Sequence, residues 1–322
     1  MKKWLFALWP VLAVLCAPAF GASDPLGPQH RLAPMKVAVT IDDIPANGDL
    51  VPGVSRMDIV RGVIKALKDN RVEKTYGFAN HFTGLEEVAK EWLAAGYPLG
   101  NHTYDHLDLG EVSAGDYIAN IEKMDQALQT LAPFSPLISH SRVFRYPYLQ
   151  EGKTLEARDA VRNYLFDNHY RVAEVTIDYE DWAWNAAYLR CLKQHDDRSI
   201  GWLRDHVVDV AERNLRRARG LSRILFGRDI AQILLLHDSA FNALMLNTVL
   251  KDFRMRGVRL ITLDEALADP AYRINPNRGF PIGLTFLEQL ADRNRVDISP
   301  WDETRYPRDR LNKLCATPPA PK

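Results

Sequence analysis

The sequence predicts an α/β protein built on a mostly parallel sheet, either closed into a barrel or doubly wound. Two observations carry this reading: short apolar runs alternate with longer segments of helical period, and polar, titratable residues collect where the runs end. The composition agrees, since 322 residues of which 47% are hydrophobic suffice for a core. Lys and Arg number 41 against 41 Asp and Glu, which excludes the broad basic footprint of a nucleic-acid-binding protein or a polycationic membrane module. Partners must therefore be sought in a site.

From the N-terminus, Lys2 and Lys3 precede an uncharged apolar run over 4–20 that contains Pro10 and ends in Ala17, Ala19, Gly21 and Ala22. This is the three-part layout of a secretory signal, expected over 1–21, and it addresses the protein to the periplasm or the exterior. A single anchoring helix is the weaker alternative, because the run is shorter than the roughly 20 residues a bilayer core needs and is broken by proline; once the signal is removed, no stable membrane span is expected. Leu15 before Cys16 is larger than the small residue a lipidated signal carries there. Cleavage leaves Cys191 and Cys315, which an oxidising compartment would allow to pair; two buried thiols are the alternative, and spacing does not choose between them. Residues 22–35, with Pro25, Pro28 and Pro34, read as an extended linker.

The apolar runs at 36–41, 75–78, 97–100, 142–145, 172–177, 233–236 and 258–261 are the expected strands. Between them, 57–68, 85–95, 117–131, 155–166 and 241–256 place apolar residues near every third or fourth position, the helical spacing. Within a main domain over 36–270, the charge-rich segment at about 186–230 is expected as a helical insertion lying on the surface. Residues 271–322, with Pro276, Pro281 and Pro300, are expected as a C-terminal extension.

In parallel α/β architectures the C-terminal ends of the strands share one face, where active sites are built. Five clusters end the runs: Thr40 to Asp43, Gly100 to His106, Arg145 to Tyr148, Thr176 to Trp182, and Leu234 to Asp238. His102 and His106 are four apart, so on a helical turn both imidazoles would share one side and meet one ion. A carboxylate would complete such a set, and Asp42-Asp43 supplies two. Neighbours on a strand point to opposite faces, so one can bind metal while the other takes a proton; a solvated acidic turn is the bland alternative. Arg145 sits among Val143, Phe144 and Tyr146, where a guanidinium is seldom buried unless paired. His237 ends a buried strand; an acidic partner from 178–181 would make it a proton donor, whereas a satisfied core histidine is the default. His81 is a pocket candidate for which an ordinary loop histidine is the commoner explanation.

The ordered set TIDD, HTYDH, RYPY, DYEDW and LLLH resembles the polysaccharide deacetylase family, the NodB-homology domain of carbohydrate esterase family 4, over roughly 36–265. That resemblance implies a distorted (β/α) barrel, seven-stranded, which hydrolyses N- or O-acetyl groups on sugars with a divalent metal, commonly zinc (Zn2+). It implies Asp43, His102 and His106 as metal ligands, Asp42 as general base and Arg145 as its orienting partner. Tyr148 would offer its backbone N–H to the oxyanion. Asp181, with Trp182 beside it, would orient His237 as general acid, and Leu235 and Leu236 would help wall the acetyl pocket; Tyr148 and Trp182 are also implied as substrate-binding. Ile41 replaces the family's usual Phe, and Leu149 stands where a glycine commonly follows the third motif. The implied partner is an acetylated glycan, with no nucleic acid; the sequence names neither the glycan nor the oligomeric state. An O-acetyl esterase, a non-sugar amidohydrolase and a catalytically silent carbohydrate-binding protein are the other functions compatible with these residues.

Overall fold

The computed structural model describes residues 34–45, 47–50, 53–138, 142–299 and 307–316; the signal and nearly all of the linker lie outside the described residues. The elements run β1 (Lys36–Ile44), α1 (Arg56–Asp69), β2 (Tyr76–Ala79), α2 (Glu86–Ala94), β3 (Leu99–Asn101), α3 (Ala114–Gln129), β4 (Val143–Phe144), α4 (Leu155–Asp167) and β5 (Arg171–Val172). They continue through α5 (Asp181–Lys193), α6 (Asp197–Phe226), β6 (Gln232–His237), α7 (Ala240–Met255), β7 (Arg259–Ile261), α8 (Leu263–Leu267) and α9 (Phe286–Arg293).

Seven parallel strands make one sheet, with β5-β4-β3-β2-β1-β6 on its path and β7 paired to β1. β6 follows one edge of β1 from Val37 to Asp42. The other edge is divided, Lys36–Ala38 to β7 and Thr40–Ile44 to β2. After β5 the chain crosses to the far end of the sheet, where Ile177 bridges Leu234 and curls the sheet into a distorted barrel.

Alternation along β1 sorts the core. Val37, Val39 and Ile41 join Leu234 and Leu236 in the layer against the helices. Ala38 faces inward with Phe78, Val143 and Ile233. The expected run at 172–177 is a strand only at its start, because it leaves β4 to reach β6.

The charge-rich segment forms α5 and the 30-residue α6. Leu203, Val207, Val210, Ala211, Leu215, Ala218 and Leu221 recur at helical spacing and are buried against the core, so α6 lies on the surface by one face only. Cys191 on α5 forms a disulfide with Cys315, 124 residues on.

Candidate active site

β1 ends in the two aspartates, but they do not diverge as strand neighbours should. Asp43 has φ 60°, in the left-handed region, and the β1–β2 register slips between Asp42 and Ile44. That irregularity turns both carboxylates into one cavity of about 610 Å³ at the strand ends. Each has an oxygen 3.7 Å from His102 Nε2.

His102 and His106 also converge, though on a loop and not a helical turn. Thr103 and His106 adopt left-handed φ of 56° and 52°, which brings the rings to 4.9 Å between centroids. His106 Nε2 lies 3.4 Å from Asp43 Oδ1. Ligands about 2.1 Å from a tetrahedral ion are spaced about 3.4 Å apart, so Asp43, His102 and His106 fit one divalent ion. Their donor atoms lie within 4.8 Å of one another.

The supports of these groups fit as well. His102 Nδ1 is 2.8 Å from the Arg145 carbonyl, which fixes the ring and leaves Nε2 facing the cavity. Asn47 and Asn80 donate to the Asp43 carboxylate at 2.6 and 3.0 Å. Burial and the neighbouring imidazole lower His102 well below the usual histidine range, and burial lowers His106 too; both favour the neutral rings a metal needs.

Arg145 lies below, fully buried. Its Nη1 donates to both oxygens of Asp42 at 3.2 and 3.0 Å, Nη2 to Thr40 Oγ1, and Nε to the Ala173 carbonyl at 2.6 Å. Two of its nitrogens thus fix the guanidinium while the third holds the Asp42 carboxylate in place. Burial nevertheless pushes Asp42 up to about 7, with Arg145 opposing it.

His237 is the register partner of Asp42 across β1 and β6. Its Nδ1 is 2.8 Å from Asp181 Oδ1, while its own backbone N–H and Asn242 hold the other Asp181 oxygen. Burial alone would lower His237, but the charge of Asp181 and the hydrogen bond to it raise it to about 10. Asp181 is fully buried beneath the histidine; Trp182, at the start of α5, is half-exposed and lines the cavity.

Tyr148 and Leu149 both have left-handed φ, 57° and 53°. A leucine therefore occupies a conformation that glycine adopts freely. Tyr148 and Leu235 line the cavity. Leu236 does not: alternation on β6 turns it into the layer against the helices, which corrects its expected place in the acetyl pocket. His81 lies outside the cavity lining, with its ring 5.6 Å from that of Tyr104.

Sequence reasoning missed Asn47, Asn80 and Asn242. Asn80 directly follows β2, so the strand-end rule that selected the other clusters could have found it. Sequence reasoning expected the extension but not its place at the site, where Ile282, Gly283, Leu284, Thr285, Glu288 and Arg308 line the cavity. Only an irregular, proline-rich stretch marks those residues in the sequence.

The sequence pattern described as Polysaccharide deacetylase matches residues 30–168. Over that region the chain is similar to the polysaccharide deacetylase family. The match includes the Asp43, His102 and His106 positions; the segments carrying Asp181 and His237 lie beyond it. A probable peptidoglycan-N-acetylglucosamine deacetylase of Arthroderma benhamiae is 25% identical over 267 residues, 78% of this chain and 49% of that protein. A peptidoglycan-N-acetylglucosamine deacetylase of Bacillus cereus is 24% identical over 157 residues, 48% of each chain. The chain thus spans about half the length of these curated relatives. The chitin deacetylase structure from Colletotrichum lindemuthianum aligns with a TM-score of 0.47 and 20% identity, covering 74% of this chain and 89% of that one.

Proposed function

We propose that the protein is a metal-dependent hydrolase that removes acetyl groups from N-acetylated sugars of a polysaccharide or oligosaccharide. One observation carries the reading: a carboxylate held by arginine and an imidazole held by carboxylate stand side by side over a three-ligand set of the kind zinc prefers. Catalytic groups with opposed proton tasks need such separate anchoring.

Asp43, His102 and His106 would hold a divalent ion, most simply Zn2+, which would lower the pKa of the attacking water and polarise the acetyl carbonyl. Asp42, kept in line by Arg145, takes the proton of the attacking water. The Tyr148 backbone N–H donates to the oxygen on which negative charge develops. His237 carries a proton that Asp181 retains for it, and it delivers that proton to the departing amine, a poor leaving group unless protonated. Leu235 and Trp182 border the space for the acetyl group.

The disulfide supports an exported protein, since such bonds persist in oxidising compartments. Among the described residues no helix is long and apolar enough to cross a membrane. Names of the relatives favour peptidoglycan or chitin-like glycans as substrates.

The test is acetate release from N-acetylglucosamine oligomers, peptidoglycan and acetylated xylan, with and without chelator, beside metal analysis. Turnover of the N-acetylated substrates is expected, abolished by chelator. Asp42→Asn should lose at least about a hundredfold in rate, the usual size of a general-base contribution, and keep its metal; His102→Ala should lose the metal. Protein that binds no divalent ion, or a fully active Asp42→Asn variant, sinks the assignment.

A further inference from the structure

The extension does not hang from the barrel; it is laid along the rim on the β4 and β5 side. Phe280 N–H donates to the Gly152 carbonyl at 3.0 Å, and Phe286 N–H to the Val175 carbonyl at 2.7 Å. Gln289 donates to Glu151 at 2.7 Å and Arg217 to Glu288 at 3.0 Å. Arg308 pairs with Glu180 at the cavity lining. α9 buries Phe286, Leu287, Leu290 and Ala291.

Between the first two anchors, Gly283 lies flat against the loop of Tyr148. A Cβ at position 283 would fall far inside van der Waals contact of the Tyr148 carbonyl oxygen and 2.9 Å from the carbonyl carbons of Tyr148 and Leu149. The backbone of Gly283 is not in the left-handed region, so closeness and not conformation requires the glycine. What it touches is strained: Tyr148 and Leu149 are two successive non-glycine residues with left-handed φ. Such residues are costly and persist only where their surroundings leave no alternative. Gly283 supplies one such surrounding surface, against a carbonyl whose carbon is two bonds from the Tyr148 nitrogen.

We infer that Gly283 is a positioning residue for the Tyr148 N–H, and that the extension is therefore a working wall of the active site. The inference rests on the deacetylase reading, in which that N–H faces the developing oxyanion. Removing a donor of this kind outright costs about 10²–10³ in kcat, so misplacing it costs somewhat less.

Gly283→Ala is expected to lower kcat about 10- to 100-fold, with KM changed less than about threefold and metal content unchanged. Affinity for a tetrahedral phosphonate analogue of the acetyl group should fall in parallel with kcat, which mere destabilisation does not produce. Gly279→Ala is the control: its Cβ would meet the Lys153 carbonyl oxygen at 2.5 Å, on the same segment but outside the cavity lining. It should lose thermal stability and keep kcat. Should Gly283→Ala fail to fold, Pro281→Gly loosens the exposed chain ahead of Gly283 without adding an atom, and a several-fold loss of kcat and analogue affinity is expected. Wild-type kcat in the folded variant, or equal losses of kcat in Gly283→Ala and Gly279→Ala, overturns the inference. Wild-type and Asp42→Asn proteins assayed alongside keep the outcomes apart: an inactive wild type or an active Asp42→Asn removes the deacetylase reading itself.

Discussion

Asp181→Asn isolates how the proton on His237 is held. The substitution keeps the side chain's shape but removes the charge, and because the His237 backbone N–H and Asn242 hold the other Asp181 oxygen, the new amide nitrogen would face Nδ1, which then has no acceptor for its proton. Asp181 is the chief opponent of burial at this histidine, with Asp43 and Asp42 contributing less. An adjacent opposite charge is worth about 1–3 pKa units, so His237 should fall from about 10 to roughly 7–9. In the proposed mechanism His237 must be protonated, so activity is lost as pH rises through its pKa. The alkaline limb of kcat/KM, read by acetate release, should therefore move to lower pH by the same interval, and NMR titration of the His237 imidazole should move with it. Stability supplies a second reading. A folded-state value raised from 6.5 to about 10 favours the folded protein by a few kcal/mol. That contribution is complete below pH 6.5 and disappears as pH rises through 10, so the variant should be destabilised most in neutral and acidic solution. An alkaline limb and a His237 titration both unchanged in folded Asp181→Asn would refute this account of the histidine.

Asn80→Ala removes one of two amides on the Asp43 carboxylate and should weaken divalent-ion binding about 10- to 100-fold, measured by competition with a chromogenic chelator; unchanged affinity would mean that Asn47 alone orients the ligand. Cys191→Ser opens the 124-residue crosslink and should cost about 2–5 kcal/mol in denaturant unfolding. Addition of reductant should lower the stability of the wild type and leave the variant unaffected.

The sequence made the site legible where chemistry and strand ends coincide. Asp42, Asp43, His102, Arg145 and His237 each stand at or just beyond a strand end, so one rule about parallel sheets gathers them before any coordinate is known. What it could not supply is the backbone between them. Strict alternation would send Asp42 and Asp43 to opposite faces, and only the left-handed turn at Asp43 brings both into the cavity. The same rule, applied to β6, would have removed Leu236 from the acetyl pocket, because β6 stays regular to its end. Periodicity thus holds where neighbouring strands enforce it and breaks at the catalytic rim.

The extension is the harder case, for a physical reason. Helices and strands advertise themselves because their buried faces repeat, whereas a wall made by Ile282, Gly283 and Leu284 is defined by what it leans on. Gly283 is unremarkable in the sequence and becomes meaningful only against the Tyr148 carbonyl, 135 positions away. A segment that carries no periodic face can still be fixed at both ends, here by backbone hydrogen bonds to Gly152 and Val175 and by an α9 whose apolar face is buried. Its influence on the site then depends on rigidity at those anchors and not on any reactive group of its own. Replacement of glycine at 283 should therefore register in turnover before it registers in substrate binding.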